Sequence, residues 1–510
     1  MNFNRPTNGL TSKVLFLSLI ILLIAAGCSG TSDDDKAQRP TRLVVYSTVD
    51  AVHDPLLALT SEQQFLMSLE NRTLFSLSTS GDITANLAQS HSVSDDGKKI
   101  TVQLAENTFT DGTDITSSDV KATLARVASA GGELADLVEN VKGSGEAKSG
   151  ADFFGITTPD EREVEFELVN PDPFFVYHLA HPATSIVPSR LIDSQGTLSF
   201  GAHSGEYTAE VISNDIDTST TYVPRSKDMP TIEVVRKSTS SISEASKEEN
   251  VDIILGSSGS DDDFEEVSVQ QLAVASWNLY VADANSALGN VRFRQAILIA
   301  LDQEESIAAY GTRAVIPTRF TSDTFDSVAC ESQCETNKKK AQQLVKSAFP
   351  DANVPTITID IENNSIQKEL AQSAKKKLSA VGIPTTIREN DATGLSDAIA
   401  RGEVQLFRFG WLSDIAVGAD SLVKNYKADS TENVSGVTDA SLEKNITSYL
   451  DATTFNERKE ASIDLQERLK DLWITRPIAQ FHKIVTVNKR ISGVTFDFYG
   501  RARIENIRES

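Results

Sequence analysis

The chain has 510 residues and 40% hydrophobic content, enough for two or more domains with apolar cores, so disorder is excluded as its default state. Its formal charge of −24 excludes nucleic acid and anionic membrane surfaces as electrostatic partners, because both would repel it.

Arg5 and Lys13 precede an apolar run from Val14 to Ala26, which ends in "LIAAGC" at Cys28. Thirteen residues are too few to span a bilayer comfortably, so residues 1–27 read as an export signal. The small residues before Cys28 resemble the lipobox of bacterial lipoproteins. That resemblance implies cleavage before Cys28 and lipid on its thiol; ordinary secretory cleavage beside a chance cysteine is the alternative. No later segment is apolar and long enough to cross a membrane, and residues 28–40 read as a flexible polar tether.

Beyond the tether the hydrophobic period alternates between two and 3.6. "KKITVQLAE" sets Ile100, Val102 and Leu104 on one face of a strand, and "REVEFELV" does the same with Val164, Phe166 and Leu168. Between them "SSDVKATLARV" aligns Val120, Leu124 and Val127 on a helix capped by Ser117 or Ser118. "VRFRQAILIALDQEESIAAY", from 291 to 310, reads as one helix. Cys330 and Cys334, in "CESQC", read as a small structural disulfide loop of an exported protein, with free thiols as the alternative; two sulfurs with no histidine nearby are too few for a metal.

A helix over "KKKAQQLVKSAF", a strand through Ile357, Ile359 and Ile361, and a helix from Ser365 that stops at Gly382 follow. A strand near Ile383 to Ile387, a short helix around Leu395 to Ala400 and the strand "VQLFRFG" complete a β-α-β-α-β run, which implies a largely parallel buried sheet. Ligands of such sheets bind beyond the carboxyl ends of strands, and Trp411 and Asp414 lie at one. Helices around Leu442 to Leu450 and Glu457 to Leu472, a strand near Ile478 to Val487, and one further strand in "ISGVTFDFYG" close the chain.

Several stretches together resemble the extracellular solute-binding proteins of family 5, the peptide-binding components of ABC importers. "GDITANLAQSHSVSDDGKKITVQLAENTFTDGTDITSSDVKATLAR" (81–126) is similar to the family's most characteristic segment, and "NVRFRQAILIALDQEESI" (290–307) to its helix, with Asn290 where aspartate is commoner. "FGWLSD" (409–414) matches the tryptophan and aspartate motif, and "IVTVNKRISGV" (484–494) the closing strand.

The resemblance implies an α/β, bilobed, periplasmic-binding-protein-like fold of the class II or cluster C type. Lobe one would comprise 41–70, 196–277 and 484–510, with 71–195 as its appended subdomain; lobe two would be 278–483. Two strand crossings would form the hinge. The expected function is capture of di- or oligopeptides between the lobes and delivery to the permease subunits of an ABC importer. The protein is expected to be exported, held by lipid on the periplasmic side or outer face of the cell membrane, and to act as a monomer without a cofactor or nucleic acid.

In the family the aspartate of the motif holds the peptide's amine. Matched residue by residue, that role falls on Asp414, with Trp411 as a pocket wall. Here "DIAVGADSL" replaces the usual "D-Y-D-P" continuation, so either the loop is remodelled or Asp420 shares or takes the role. Phe407, Phe409 and Tyr426 are candidate pocket residues, with plain packing as the alternative. His178 and His181 share a spacing that suits either a metal-binding helical face or a packed loop. No nucleophile elbow, zinc helix, phosphate loop or dinucleotide fingerprint is present, so the chain reads as a binder rather than an enzyme. A surface receptor for a peptide signal without uptake, and a binding protein for a metal chelate or oligosaccharide, are the alternatives.

Overall fold

The run Leu43 to Tyr46 is apolar at every position, as a strand covered on both faces must be, and it forms β1 (Arg42–Ser47). The computed structural model describes residues 38–510 except 79–80, 148–152, 214–217, 239–241, 243, 245–246, 249, 257–261, 323 and 414; at 211–213, 218, 270, 272, 312, 332, 411 and 412 it describes the backbone alone. Residues 1–37, Cys28 among them, therefore lie outside the described residues. Helix α1 (Ser61–Glu70) starts on a capping box between Thr60 and Gln63.

Four strands follow, β2 (Ala88–Val93), β3 (Lys99–Leu104), β4 (Ile156–Asp160) and β5 (Glu163–Glu167), paired antiparallel in the order β2-β3-β5-β4. Helix α2 (Ser117–Ala130) buries Val120, Leu124 and Val127 in one cluster with Ile100, Val102, Val164 and Phe166, the period-two residues of β3 and β5. Its cap is Thr116 and not Ser117 or Ser118: the Asp119 carboxylate accepts from the Thr116 N–H and hydroxyl, each at 2.9 Å. Ser117 is turned instead to the Asp160 carbonyl at 2.6 Å.

The chain returns through β6 (Tyr207–Ser213), β7 (Thr218–Pro224), β8 (Thr231–Arg236) and β9 (Ile253–Leu255) to the long β10 (Phe264–Leu279). The expected single helix over 291–310 is two, α3 (Val291–Ala300) and α4 (Gln303–Tyr310), because Asp302 leaves the helix to cap α4 and accepts from Glu304 N at 2.9 Å. Then come α5 (Lys338–Ala348), β11 (Ile357–Glu362), α6 (Ser365–Ser379), β12 (Thr385–Asn390), α7 (Ala392–Ala400) and β13 (Leu406–Leu412). Helices α8 (Gly418–Tyr426), α9 (Ala440–Asp451) and α10 (Phe455–Leu472) lead to β14 (Thr475–Asn488). The closing stretch is two short ladders rather than one strand: Ile491–Ser492 pairs with Arg508–Glu509, and Thr495–Phe496 with Ala502–Arg503.

One mixed eleven-stranded sheet runs through the described residues in the order β12-β11-β13-β10-β14-β9-β1-β8-β7-β6, with Ala314–Val315 pairing β14 off this path. β11 is parallel to both β12 and β13, as the β-α-β-α-β pattern requires. The two longest strands, β10 and β14, pair antiparallel at the middle of the sheet. The core of the 71–195 region is not its own alone. Ile415, Ala416 and Val417, which lead into α8, and Ala419 in its first turn are buried in the same cluster as Phe109, Phe166 and Phe175. Phe174 also meets Phe325 and Phe455 edge-on, with ring centroids 5.4 and 5.0 Å apart. Residues 39–510 consequently form one compact unit.

Candidate ligand-binding cleft

The geometry of the cleft starts with unequal strand lengths. β13 pairs along its whole length with β10, from Leu406 opposite Leu279 to Leu412 opposite Ala273, but β11 covers only Leu406 and Phe407. From Arg408 onward β13 runs past its parallel neighbour, and the space beyond is the cleft. Phe407 is buried in one core cluster with Leu395, Ile399 and Leu422, while Phe409 on the same face is partly open and lines a cavity.

Two chambers meet at Glu133, Leu137 and Ser413. The larger holds about 720 Å³ and is walled by Leu56 and Leu59, by Leu134 and Leu137, and by Phe498 and Tyr499. That volume falls within the usual range of small-molecule sites, about 300 to 1,000 Å³. The smaller holds about 400 Å³ and carries five carboxylates, Glu133, Asp136, Glu139, Asp420 and Glu432. Lys424, on the same wall, bonds Asp136 across the cleft at 2.7 Å. Burial, with the charges of Asp136 and Asp420 adding to it, raises Glu139 above the ordinary carboxylate range. This chamber is therefore poised for a cation.

Asp420 sits in the first turn of α8, and its Oδ1 accepts from the Tyr449 hydroxyl at 2.8 Å. The structure thus brings Asp420 and Phe409 to the cleft. Tyr426 it does not: the ring is fully buried in the core behind β13, and its hydroxyl donates to Asn278 Oδ1 at 3.0 Å, so it packs rather than lines. Asp414 and the Trp411 side chain lie outside the described residues; the Trp411 backbone pairs with Val274, and Ser413 borders both chambers.

His178 and His181 turn to different partners. His178 ends a short helix, Phe175–His178, with Nε2 3.8 Å from Asp172, whereas His181 caps the next turn by accepting from Ala183 N at 3.1 Å. Burial first, then Arg501, lowers the His181 pKa to about 3, which keeps the ring neutral. Cys330 and Cys334 are bonded, with Cα atoms 5.4 Å apart. A separate cavity of about 480 Å³ lies against Arg39, Arg72, Arg501 and Arg503. Its guanidinium groups are engaged, Arg39 by the carbonyls of Asp228 and Glu505, Arg501 by Asp497 and Arg503 by the Leu77 carbonyl.

A model of the bacterial extracellular solute-binding proteins, family 5 (middle region), matches residues 82–433. The chain belongs to that family. This family 5 solute-binding protein is 34% identical over 126 residues to the glutathione-binding protein GsiB of Escherichia coli K12, a match spanning 24% of the chain and 22% of that relative. Among solved structures it is similar to the unliganded open form of the murein tripeptide binding protein MppA, at a TM-score of 0.80 and 16% identity over 93% of this chain and 98% of that one. It is also similar to DppA of Helicobacter pylori in complex with the peptide STSA, at a TM-score of 0.64 and 16% identity, covering 92% and 98%. Its fold is the bilobed α/β fold of these periplasmic binding proteins. Sequence reasoning missed one wall of the family 5 protein's cleft, the stretch "GGELADLVEN". The signal was there: Glu133, Asp136 and Glu139 recur every three residues behind Gly131 and Gly132, whose φ angles of 72° and 59° turn the chain into the cleft.

Proposed function

We propose that the protein is the substrate-binding component of an ABC importer, anchored by lipid on Cys28, and that it captures di- or oligopeptides for delivery to a membrane permease. The observation that carries this reading is the two-chambered cleft beyond the end of β13, apolar on one side and rich in carboxylates on the other. An extended peptide has an ammonium at one end. When the lobes close, that charge leaves water, and an ion pair about 4 Å apart recovers about 4 kcal/mol at an effective dielectric of about 20. In this reading Asp414 holds the ammonium, Trp411 walls the pocket beside it, and Asp420 supplies a second carboxylate. Lobe one comprises 41–70, 196–277 and 484–510 with its subdomain at 71–195, lobe two is 278–483, and β10 and β14 are the two crossings that hinge them.

Native mass spectrometry of the soluble protein starting after Cys28 tests the substrate class: a ladder of peptide masses supports the reading, and an empty protein that ignores peptide pools overturns it. Calorimetry tests the chemistry. Asp414→Ala is expected to weaken peptide binding by about 3 to 5 kcal/mol, and acetylation of the peptide amine by a similar amount; if neither weakens binding, the role of Asp414 is wrong. Five carboxylates in the smaller chamber also favour peptides with a net positive or neutral charge over glutathione, whose two carboxylates outnumber its one ammonium. Tightest binding by glutathione would refute that electrostatic argument.

A further inference from the structure

Helix α8, which carries Asp420 and Lys424 to the cleft, begins without a local cap. Val417 stands at the N-cap position and has no side-chain acceptor, although the first N–H groups of any helix need partners. They are supplied from 92 residues earlier in the chain: the Asp326 carboxylate accepts from Gly418 N at 2.9 Å and from Ala419 N at 3.2 Å. The Thr324 and Ser462 hydroxyls, each at 2.6 Å, fill its remaining capacity.

Asp326 is 1% exposed, and its carboxylate is met by N–H groups and hydroxyls. Burying a carboxylate is costly, and what this one secures is the first turn of α8. Glycine at 418 belongs to the same arrangement. A Cβ there would lie 2.5 Å from Thr321 Oγ1 and 2.7 Å from Thr324 Oγ1, so a larger residue would push α8 off its cap.

We propose that Asp326 is the positioning residue of the ligand site. Capping α8 from the core, it fixes the first turn of the helix, and with it the Asp420 carboxylate, against the cleft, and so sets the affinity for a ligand's ammonium. The inference rests on the proposal that the cleft takes a peptide with a free amino terminus.

The test compares the dissociation constants of trialanine and N-acetyl-trialanine for the wild type, Asp326→Ala and Asp326→Asn. The wild type is expected to favour the free amine strongly. Loss of the cap should shrink that preference at least about tenfold in Asp326→Ala, with Asp326→Asn, which keeps one acceptor oxygen, intermediate. A merely structural role would weaken both peptides by the same factor and leave the preference unchanged, which overturns the inference while the peptide reading stands. If Asp326→Ala does not fold, Gly418→Ala displaces the same contact from the helix side and carries the same expectation. A wild type that binds neither peptide, or binds both equally, overturns the reading of the cleft and the inference with it.

Discussion

Residues that look equivalent along the chain differ in what covers them. Phe407 and Phe409 share a face of β13, yet Phe407 is buried in one core cluster with Leu395, Ile399 and Leu422 while Phe409 only packs against its margin and lines the cleft; no periodicity contains that information. Tyr426 was legible as an aromatic near the site with packing as the alternative, and the partner that decides for packing, Asn278, lies 148 positions away. His181 leads to a pH prediction. Its folded pKa is about 3 against about 6.5 for a free histidine, so the unfolded chain takes up a proton that the native ring refuses. Its contribution to stability is complete above pH 6.5 and is lost as pH falls towards 3, with a slope of about 1.4 kcal/mol per pH unit. In His181→Gln the fall in thermal midpoint between pH 7.5 and pH 4.5 is expected to be smaller than in the wild type. An equal fall in the two proteins refutes the burial argument.

At the scale of elements, hydrophobic period located helices and strands well and their ends less well. The stripe of Phe293, Ile297 and Ala300 is real and buried. The break after it was written in "LDQEES", where Asp302 begins a capping sequence, but the apolar residues beyond masked the signal. What holds the break open lies far away in the chain. The buried Arg476 guanidinium donates to the Leu298 carbonyl, to the Leu301 carbonyl at 2.7 Å and to the Cys334 carbonyl at 3.0 Å, tying the end of α3 to the disulfide turn. Burial lowers its pKa to about 10, so it stays charged at neutral pH. Arg476→Met takes this donor from all three carbonyls, leaving Leu298 to the Leu301 N–H at 3.3 Å and Leu301 to the Thr336 hydroxyl at 3.0 Å, and is expected to cost about 1 to 3 kcal/mol, read as a lower urea midpoint; an unchanged midpoint would mean that water replaces the guanidinium.

For the whole molecule, the family-like motifs pointed to the bilobed fold, while the dependence of one part on another stayed hidden. Ile415, Ala416, Val417 and Ala419 lie far beyond the 71–195 region in sequence yet are buried in its core, and that depends on tertiary contacts across hundreds of residues. The sheet is interlocked in the same way, since β14 pairs with both β9 and β10. A chain ending at Leu472 would leave both edges bare, and it is expected to aggregate without a cooperative thermal transition. A soluble fragment with a sharp transition would contradict this.

The position of β14 also sets a timetable. β1 is made first, yet the sheet around it cannot seal until residues 475–488 have been added. At roughly 5 to 20 residues per second, synthesis reaches that point only after about 25 to 100 s. Until then only the four-stranded sheet β2-β3-β5-β4, made by residue 167, has all its strands, and the larger sheet stays open for nearly the whole of synthesis.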